Sequence, residues 1–173
     1  MNAAPPGGST LVLGTSTPDE TRAVAGAVAE LVVPGDVVLL AGELGAGKTA
    51  FTQGFGAALG IVDRIVSPTF TIAREYTGGR LVLHHLDVYR LEHLREATDL
   101  GLSELIDDGG VMVIEWGDAI APVLPADYLE VQISFGDGDD DRCMTLTTVG
   151  NRWTARRRGL ADALARWAGR AGC

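Results

Sequence analysis

The chain has 173 residues, of which 46% are apolar, a size that suits one globular domain with a single core. Its formal net charge of −9 argues against bulk, non-specific binding to nucleic acid or anionic lipid, because such binders usually carry a broad positive surface. No run approaches the roughly 20 apolar residues that a membrane span requires. We therefore expect a soluble, cytoplasmic protein, with residues 1–10 as a flexible tail and residues 11–173 as one domain.

The two cysteines, Cys143 and Cys173, have neither the spacing of a metal site nor that of a redox motif. Two thiols also do not make the disulfide framework that is typical of small secreted proteins. We expect both thiols to be reduced and structural.

The basic residues are concentrated at the carboxyl end of the chain. The last 23 residues hold six arginines and one acid, whereas the first 150 residues are acidic overall. The arginines could lie on a solvated helix face that complements an acidic surface, or they could contact RNA or an acidic partner. The sequence leaves both interpretations open.

The amino-terminal third predicts helix, strand and helix in that order. The segment Thr17-Pro18-Asp19-Glu20 places an N-cap hydroxyl, a proline at the first helical position and an acid three residues after the cap, so a helix should begin there. The apolar run 37–41 is typical of a strand buried on both faces, and residues 49–59 suit a second helix.

In the rest of the chain, segments whose apolar residues repeat every second position, as in strands, alternate with segments of helical spacing. In chain order they predict a hairpin over 71–76 and 81–87, short helices over 92–106, a buried strand over 111–115, an antiparallel hairpin over 127–135 and 143–148, and a final amphipathic helix carrying Leu160, Leu164 and Trp167. Together these elements predict an α/β domain of three layers with a mixed central sheet flanked by helices.

A glycine-rich loop, Gly42-Glu43-Leu44-Gly45-Ala46-Gly47-Lys48-Thr49, directly follows the predicted strand 37–41. Its glycines let backbone N–H groups converge on phosphate oxygens, and the next helix adds its positive amino-terminal end. Lys48 would span the β- and γ-phosphates of ATP, and the Thr49 hydroxyl would bind Mg²⁺. Strand, loop and helix therefore predict a P-loop NTPase-like domain that binds ATP and Mg²⁺.

Lys48 is the only lysine among the fourteen basic residues. The compact ammonium of lysine fits inside a ring of backbone amides around a phosphate, whereas the planar guanidinium of arginine is too wide. The retention of lysine at this one position supports the phosphate-binding interpretation.

Two acids end predicted strands and could complete the site. ATP hydrolysis requires carboxylates near the γ-phosphate, and in this architecture they lie at the carboxyl ends of strands that neighbour the loop strand. Glu115 ends the strand 111–114 and Asp87 ends the strand 81–86. We assign Glu115 to Mg²⁺, directly or through water, and Asp87 to the metal shell or the attacking water, and the two roles could be exchanged.

Other residues allow both a structural and a functional interpretation. The segment Ser67-Pro68-Thr69-Phe70-Thr71 is either a proline turn or a switch that senses the γ-phosphate through Thr69. His84 and His85 are interpreted as structural histidines, with one side chain pointing inward. Trp116 could pack in the core or line the nucleotide site. Arg142 could pair with the acidic turn beside it or reach a phosphate.

Four motifs occur in a fixed order and resemble those of the bacterial TsaE (YjeE) family of small P-loop ATPases. They are Gly42-Glu43-Leu44-Gly45-Ala46-Gly47-Lys48-Thr49, Ser67-Pro68-Thr69-Phe70-Thr71, His85-Leu86-Asp87-Val88-Tyr89-Arg90-Leu91 and Ile114-Glu115-Trp116. The resemblance extends from about residue 15 to the last helix. Glu43 stands where the family often has aspartate, and Gly117 stands where it often has proline.

The resemblance implies a role in making threonylcarbamoyladenosine beside the anticodon of tRNAs that read codons starting with A. It implies that a slow ATPase, stimulated by its partners, resets a transferase complex of TsaB-like and TsaD-like proteins between turnovers, with indirect contact to tRNA.

The resemblance also implies roles for individual residues. Thr49 and Glu115 would bind Mg²⁺, Lys48 and Asp87 would act with Glu115 in catalysis, and Trp116 would belong to the nucleotide environment. The other residues implied to contact ATP are Thr17, Glu43, Leu44, Gly45, Ala46, Gly47, Ala50 and Arg142.

Two other functions are compatible with the phosphate loop alone. A small-molecule kinase would need an arginine-rich lid and a basic acceptor pocket, neither of which is evident in the sequence. A non-catalytic nucleotide sensor would need no carboxylates, which Glu115 and Asp87 argue against. Measured hydrolysis and its products would separate these alternatives.

Overall fold

The computed structural model describes residues 8–68, 71–88, 99–115, 120, 122–170 and 173. The strands are β1 (Thr10–Thr15), β2 (Val37–Gly42), β3 (Ala73–Tyr76), β4 (Leu83–Asp87), β5 (Val111–Glu115), β6 (Tyr128–Phe135) and β7 (Arg142–Val149). The helices are α1 (Pro18–Ala29), α2 (Lys48–Ala58), α3 (Leu102–Asp107) and α4 (Asn151–Leu164), which a 3₁₀ turn extends over Ala165–Trp167. These bounds confirm the predicted elements in the described regions. Of the predicted helical segment 92–106, residues 92–98 lie outside the described residues, and its last part belongs to α3.

The strands form one mixed sheet in the order β1-β7-β6-β2-β5-β4-β3. β6, β2, β5 and β4 are parallel neighbours. The outer pairs β1–β7, β6–β7 and β3–β4 are antiparallel. The strand that leads into the glycine-rich loop therefore lies at the centre of the sheet, which is where the continuous apolar run 37–41 predicts it.

Helices cover both faces of the sheet. On one face α1, α2 and α4 pack over inward side chains such as Val38, Leu40 and Val113. On the other face a smaller cluster joins Leu39 and Ile114 to α3 through Leu102. Residues 37–40 of β2 alternate between these two clusters, which explains why all four positions are apolar. The three-layer α/β architecture is as predicted.

The start of α1 confirms the predicted cap. Thr17 precedes Pro18, and its hydroxyl accepts a hydrogen bond from the Glu20 backbone N–H at 3.1 Å. Glu20 accepts from the Ser16 N–H at 2.8 Å and pairs with Arg170 at the carboxyl end. The bond from Ser16 and the pairing with Arg170 hold the pKa of Glu20 below its usual value. Helix α1 thus begins with the local chemistry that its sequence predicts.

A disulfide joins Cys143 to Cys173, so the expectation that both thiols are reduced is wrong. Cys143 lies in β7 opposite Gly14 of β1, and a Cβ built at Gly14 would lie 3.3 Å from the Cys173 sulfur. The end of the chain therefore lies against β1, which brings the two Cα atoms to 5.4 Å although 30 residues separate them in sequence. The spacing of cysteines in the sequence does not predict this disulfide, because the pairing of β1 with β7, which are remote in sequence, creates the contact.

Three of the six carboxyl-terminal arginines pair with acids. Arg156 lies 2.5 and 2.8 Å from the two carboxylate oxygens of Asp36, and Arg152 lies 3.5 Å from the same carboxylate. Arg170 pairs with Glu20. These contacts favour the interpretation that the basic end complements the acidic part of the domain.

Residues 1–7 of the expected tail lie outside the described residues, and β1 begins at Thr10. The division into a tail over 1–10 and a domain over 11–173 stays a prediction. Within the part of the chain that the structure describes, no helix has the length and apolar character needed to cross a membrane.

Candidate nucleotide site

The glycine-rich loop connects the end of β2 to the start of α2. Three of its glycines have positive φ angles, 149° at Gly42, 79° at Gly45 and 111° at Gly47. A Cβ at Gly42 would lie 2.3 Å from the carbonyl oxygen of Ile133 in β6, so this position has no room for a side chain. Gly47 forms the N-cap of α2 without a side-chain hydrogen bond. No side chain therefore caps the first turn of α2, and its backbone N–H groups can bind an anion.

Lys48 begins α2, and its side chain folds back over the loop. Its Nζ donates hydrogen bonds to the carbonyls of Gly42 at 2.8 Å and Glu43 at 2.9 Å. Burial lowers the pKa of Lys48, and the charges of Glu115 and Asp87 act in the opposite direction. The ammonium therefore lies in the electrostatic field of both predicted carboxylates, which places the three groups in one site.

Asp87 and Glu115 end neighbouring parallel strands and are partners in register. Glu115 is also the register partner of Leu40 in β2, so β5 neighbours the loop strand as predicted. β4 neighbours β5 rather than β2, which corrects the expectation that both acids lie on strands next to the loop strand. Asp87 is 6% exposed and Glu115 is 2% exposed, so both carboxylates are shielded from bulk water.

The segment predicted as a switch contacts Asp87 at its first residue. The Ser67 hydroxyl donates to Asp87 Oδ2 at 3.1 Å. The Pro68 carbonyl accepts from Ile72 N–H at 2.8 Å, and Ile72 has a φ of 65°. Ile72 then accepts a hydrogen bond from the Asp87 backbone N–H at 2.8 Å. The segment is thus joined to the end of β4 on both sides of Thr69 and Phe70, which lie outside the described residues.

His85 contacts the predicted metal ligand, which the sequence interpretation missed. Its Nε2 lies 2.7 Å from Glu115 Oε1, and neither side chain is more than 3% exposed. His84 is also buried but lies on the opposite face, where its Nδ1 is 3.6 Å from Glu75 Oε2. The alternation of β4 could have indicated that His85 shares a face with Asp87, but the contact with Glu115 also requires the register of β4 on β5.

Arg142 reaches the glycine-rich loop from β7. Its Nε donates to the Ala46 carbonyl at 3.0 Å, and its guanidinium lies 4.7 Å from the Phe135 ring centroid. Its Nη1 also donates to the carbonyls of Asp139 and Asp141. Arg142 therefore bonds with the backbone of the acidic turn and also contacts the loop, and its contact with a phosphate remains a prediction.

The other predicted contacts occupy different environments. Thr17 is exposed at the cap of α1, Glu43 and Leu44 are exposed on the loop, and Thr49 and Ala50 are half-buried in the first turn of α2. Trp116 lies outside the described residues, so its predicted role in the nucleotide environment remains a prediction.

The residues present fit a magnesium ion that is shared with a nucleotide. Among the described residues no group of three or more histidine, cysteine, aspartate or glutamate side chains could hold a metal alone. Mg²⁺ usually binds one or two protein oxygens together with phosphate oxygens and water, so a complete protein cage is not needed. Glu115 and Thr49 could supply the protein oxygens, and Asp87 could hold a water in the metal shell.

Comparison with known proteins gives the family. The family model described as "Threonylcarbamoyl adenosine biosynthesis protein TsaE" matches residues 15–144. The "tRNA threonylcarbamoyladenosine biosynthesis protein TsaE" of Bacillus subtilis is 49% identical over 139 residues, which cover 80% of this chain and 86% of the relative. Its namesake from Streptomyces coelicolor is 43% identical over 132 residues, covering 73% and 88%.

A solved structure supports the fold. The crystal structure of YdiB from Bacillus subtilis superposes with a TM-score of 0.76 at 42% sequence identity, covering 92% of this chain and 96% of that one. The matched family model spans the glycine-rich loop, both carboxylates and Arg142. This chain therefore belongs to the TsaE family.

Proposed function

We propose that this chain is an ATP-hydrolysing subunit required for the formation of threonylcarbamoyladenosine in tRNA. The observation that carries the proposal is the position of Lys48, which begins α2 in the electrostatic field of Asp87 and Glu115. Phosphoryl transfer to water needs a cation at the phosphates and carboxylates near them. Lys48 and the two buried carboxylates provide this arrangement. Relatives of the same family carry tRNA threonylcarbamoyladenosine biosynthesis in their names, which supplies the biological context.

The chemistry follows from these side chains. The loop amides and Lys48 bind the β- and γ-phosphates, and Asp87 orients a water molecule opposite the leaving oxygen. The water oxygen bonds to the γ-phosphorus as the bond to the bridging oxygen breaks, which gives ADP and phosphate, and the water proton passes to a phosphate oxygen or to the solvent. Mg²⁺, when bound through Thr49 and Glu115, would neutralise phosphate charge. Burial of both carboxylates makes their electrostatic effect stronger than it would be in water.

The partners are TsaB-like and TsaD-like proteins, and hydrolysis resets their transferase complex between turnovers in the cytoplasm. The acidic domain and the pairing of three carboxyl-terminal arginines with acids support an indirect contact with tRNA. We expect hydrolysis to be slow in the isolated chain and faster with the partners present.

The test is phosphate release from ATP and Mg²⁺ by the purified chain, alone and with both partner proteins, with Lys48→Met as the inactive control. We expect slow release alone, faster release with the partners and none above background for Lys48→Met. A phosphorylated metabolite formed without free phosphate would establish a kinase instead. Tight nucleotide binding without phosphate release in either condition would establish a non-catalytic sensor.

A further inference from the structure

We infer that His85 is a positioning residue that holds the Glu115 carboxylate in its metal-binding orientation. The inference rests on the proposed function, because it concerns how the same site binds Mg²⁺. The observation that carries it is the 2.7 Å hydrogen bond between His85 Nε2 and Glu115 Oε1, in which the two side chains are 0% and 3% exposed.

The direction of this hydrogen bond follows from the chemistry of its partners. An ionised carboxylate can only accept, so the proton lies on Nε2 of His85. One oxygen of Glu115 is thereby engaged, and Oε2 is left for the metal or a metal-bound water. A hydrogen bond of this kind fixes the plane of a carboxylate, as outer partners of metal ligands commonly do.

The surroundings of Glu115 show why its orientation needs a restraint. Lys48 lies in the field of Glu115, and the attraction between them favours rotation of the carboxylate toward the ammonium. Lys48 already donates to the carbonyls of Gly42 and Glu43, so its side chain is held over the loop. His85 opposes this rotation from β4, on the side of Glu115 where Asp87 also lies. The histidine thus keeps the metal ligand from pairing with the lysine.

His84 is a natural control for His85, because it is a buried histidine that does not contact Glu115. It lies in the same strand and is 3% exposed, yet its side chain is on the other face of the sheet near Glu75. Within the described residues, each histidine also has one ring nitrogen without a hydrogen-bond partner, Nε2 in His84 and Nδ1 in His85. The two residues are therefore matched in type, strand and burial, and differ in the contact with Glu115.

The test measures Mn²⁺ binding by electron paramagnetic resonance in the presence of ADP, together with ADP binding in EDTA. The variants are His85→Phe, which retains a ring but no N–H, and His85→Gln, which can place an N–H near the position of Nε2. The matched control is His84→Phe. Thermal denaturation of each variant shows whether it is folded.

We expect His85→Phe to weaken Mn²⁺ binding by roughly 10- to 100-fold while ADP binding in EDTA changes less than about twofold. His85→Gln should recover most of the Mn²⁺ affinity, and His84→Phe should retain it even if its Tm falls. Wild-type Mn²⁺ affinity in His85→Phe, or an equal loss in His84→Phe, would overturn the inference while leaving the proposed function intact. Absence of Mn²⁺–ADP binding by the wild-type protein would overturn both.

If His85→Phe does not fold, a measurement on the wild-type protein can still test the inference. Nitrogen-15 NMR of the imidazoles should show His85 with its proton on Nε2, and this signal should shift when Mg²⁺ is added to the ADP complex. The His84 signals should shift less. A proton on Nδ1 alone, or no response of His85 to Mg²⁺, would overturn the inference.

Discussion

Asp87 and Glu115 face each other in register at the carboxyl ends of β4 and β5, and both lie in the field of Lys48. The strands are adjacent and parallel, so their terminal side chains open into the same end of the sheet as the glycine-rich loop. In the proposed reaction Glu115 binds the metal and Asp87 orients the attacking water.

The two roles predict different kinetic defects. Glu115→Gln should raise the Mg²⁺ concentration for half-maximal hydrolysis and lower turnover more than ATP affinity, because a neutral amide binds Mg²⁺ poorly. Asp87→Asn should lower kcat by roughly 10²- to 10⁴-fold with little change in the Mg²⁺ requirement, because it removes the group that orients water. Steady-state hydrolysis across a Mg²⁺ series measures both. Wild-type turnover in Glu115→Gln would transfer the metal role to Asp87 or elsewhere.

Two glycines of positive φ should respond differently to alanine, Gly42 in the glycine-rich loop and Gly78 in the turn between β3 and β4. A Cβ at Gly42 would lie 2.3 Å from the Ile133 oxygen, whereas a Cβ at Gly78 would meet nothing within 4 Å. Gly42→Ala should therefore lower the free energy of unfolding by roughly 3 kcal/mol or more, from overpacking and backbone strain together. Gly78→Ala should lower it by about 1–2 kcal/mol, from backbone strain alone. Urea denaturation of both variants measures the difference, and equal losses would contradict the close approach of β6 to the loop.

The ion pair between Asp36 and Arg156 predicts a large effect far from the site. The Asp36 side chain is 1% exposed and Arg156 is 22% exposed, so removal of the negative charge leaves a mostly buried guanidinium unpaired. Asp36→Asn should lower the free energy of unfolding by about 3 kcal/mol. The control is Asp19→Asn, whose carboxylate is 94% exposed and pairs with Arg22 at the surface, where the loss should stay below about 1 kcal/mol. Similar values for both variants in urea denaturation would show that α4 does not depend on the Asp36 contact.

The sequence predicted much of this fold because the relevant signals are local. Strand β2 was identifiable from its apolar run, and the start of α1 from Thr17 and Pro18, since a buried strand and a helix cap depend on neighbouring residues. The phosphate loop was identifiable for the same reason. The site therefore followed from motifs as far as Lys48 and the two strand-end acids.

The remaining features depend on pairs that are distant in sequence. The contact of His85 with Glu115 requires the register of β4 on β5, which neither strand encodes alone. The disulfide of Cys143 requires that the chain end lie against β1, and the Asp36–Arg156 pair requires the docking of α4. Such contacts arise from topology, which periodicity does not specify.

The disulfide predicts a stability that depends on the redox state. It closes a sequence separation of 30 residues, and the chain-entropy model gives about 3–4 kcal/mol for a loop of that length. Cys143→Ser and Cys173→Ser should each lower the free energy of unfolding by this amount under non-reducing conditions, and the double variant should lose no more than either alone. A reductant should lower the Tm of the wild-type protein and leave the serine variants unchanged. An additive loss in the double variant would contradict the covalent link.

The proposed function holds that ATP bound at Lys48 drives threonylcarbamoyladenosine formation. The most direct measurement is the threonylcarbamoyladenosine content of tRNA, determined by nucleoside mass spectrometry in cells depleted of this chain and complemented with wild-type or Lys48→Met protein at equal abundance. We predict that the modified nucleoside falls on depletion, returns with the wild-type protein and does not return with Lys48→Met. Unchanged threonylcarbamoyladenosine after depletion without a substitute protein, or full recovery with Lys48→Met, would contradict the claim.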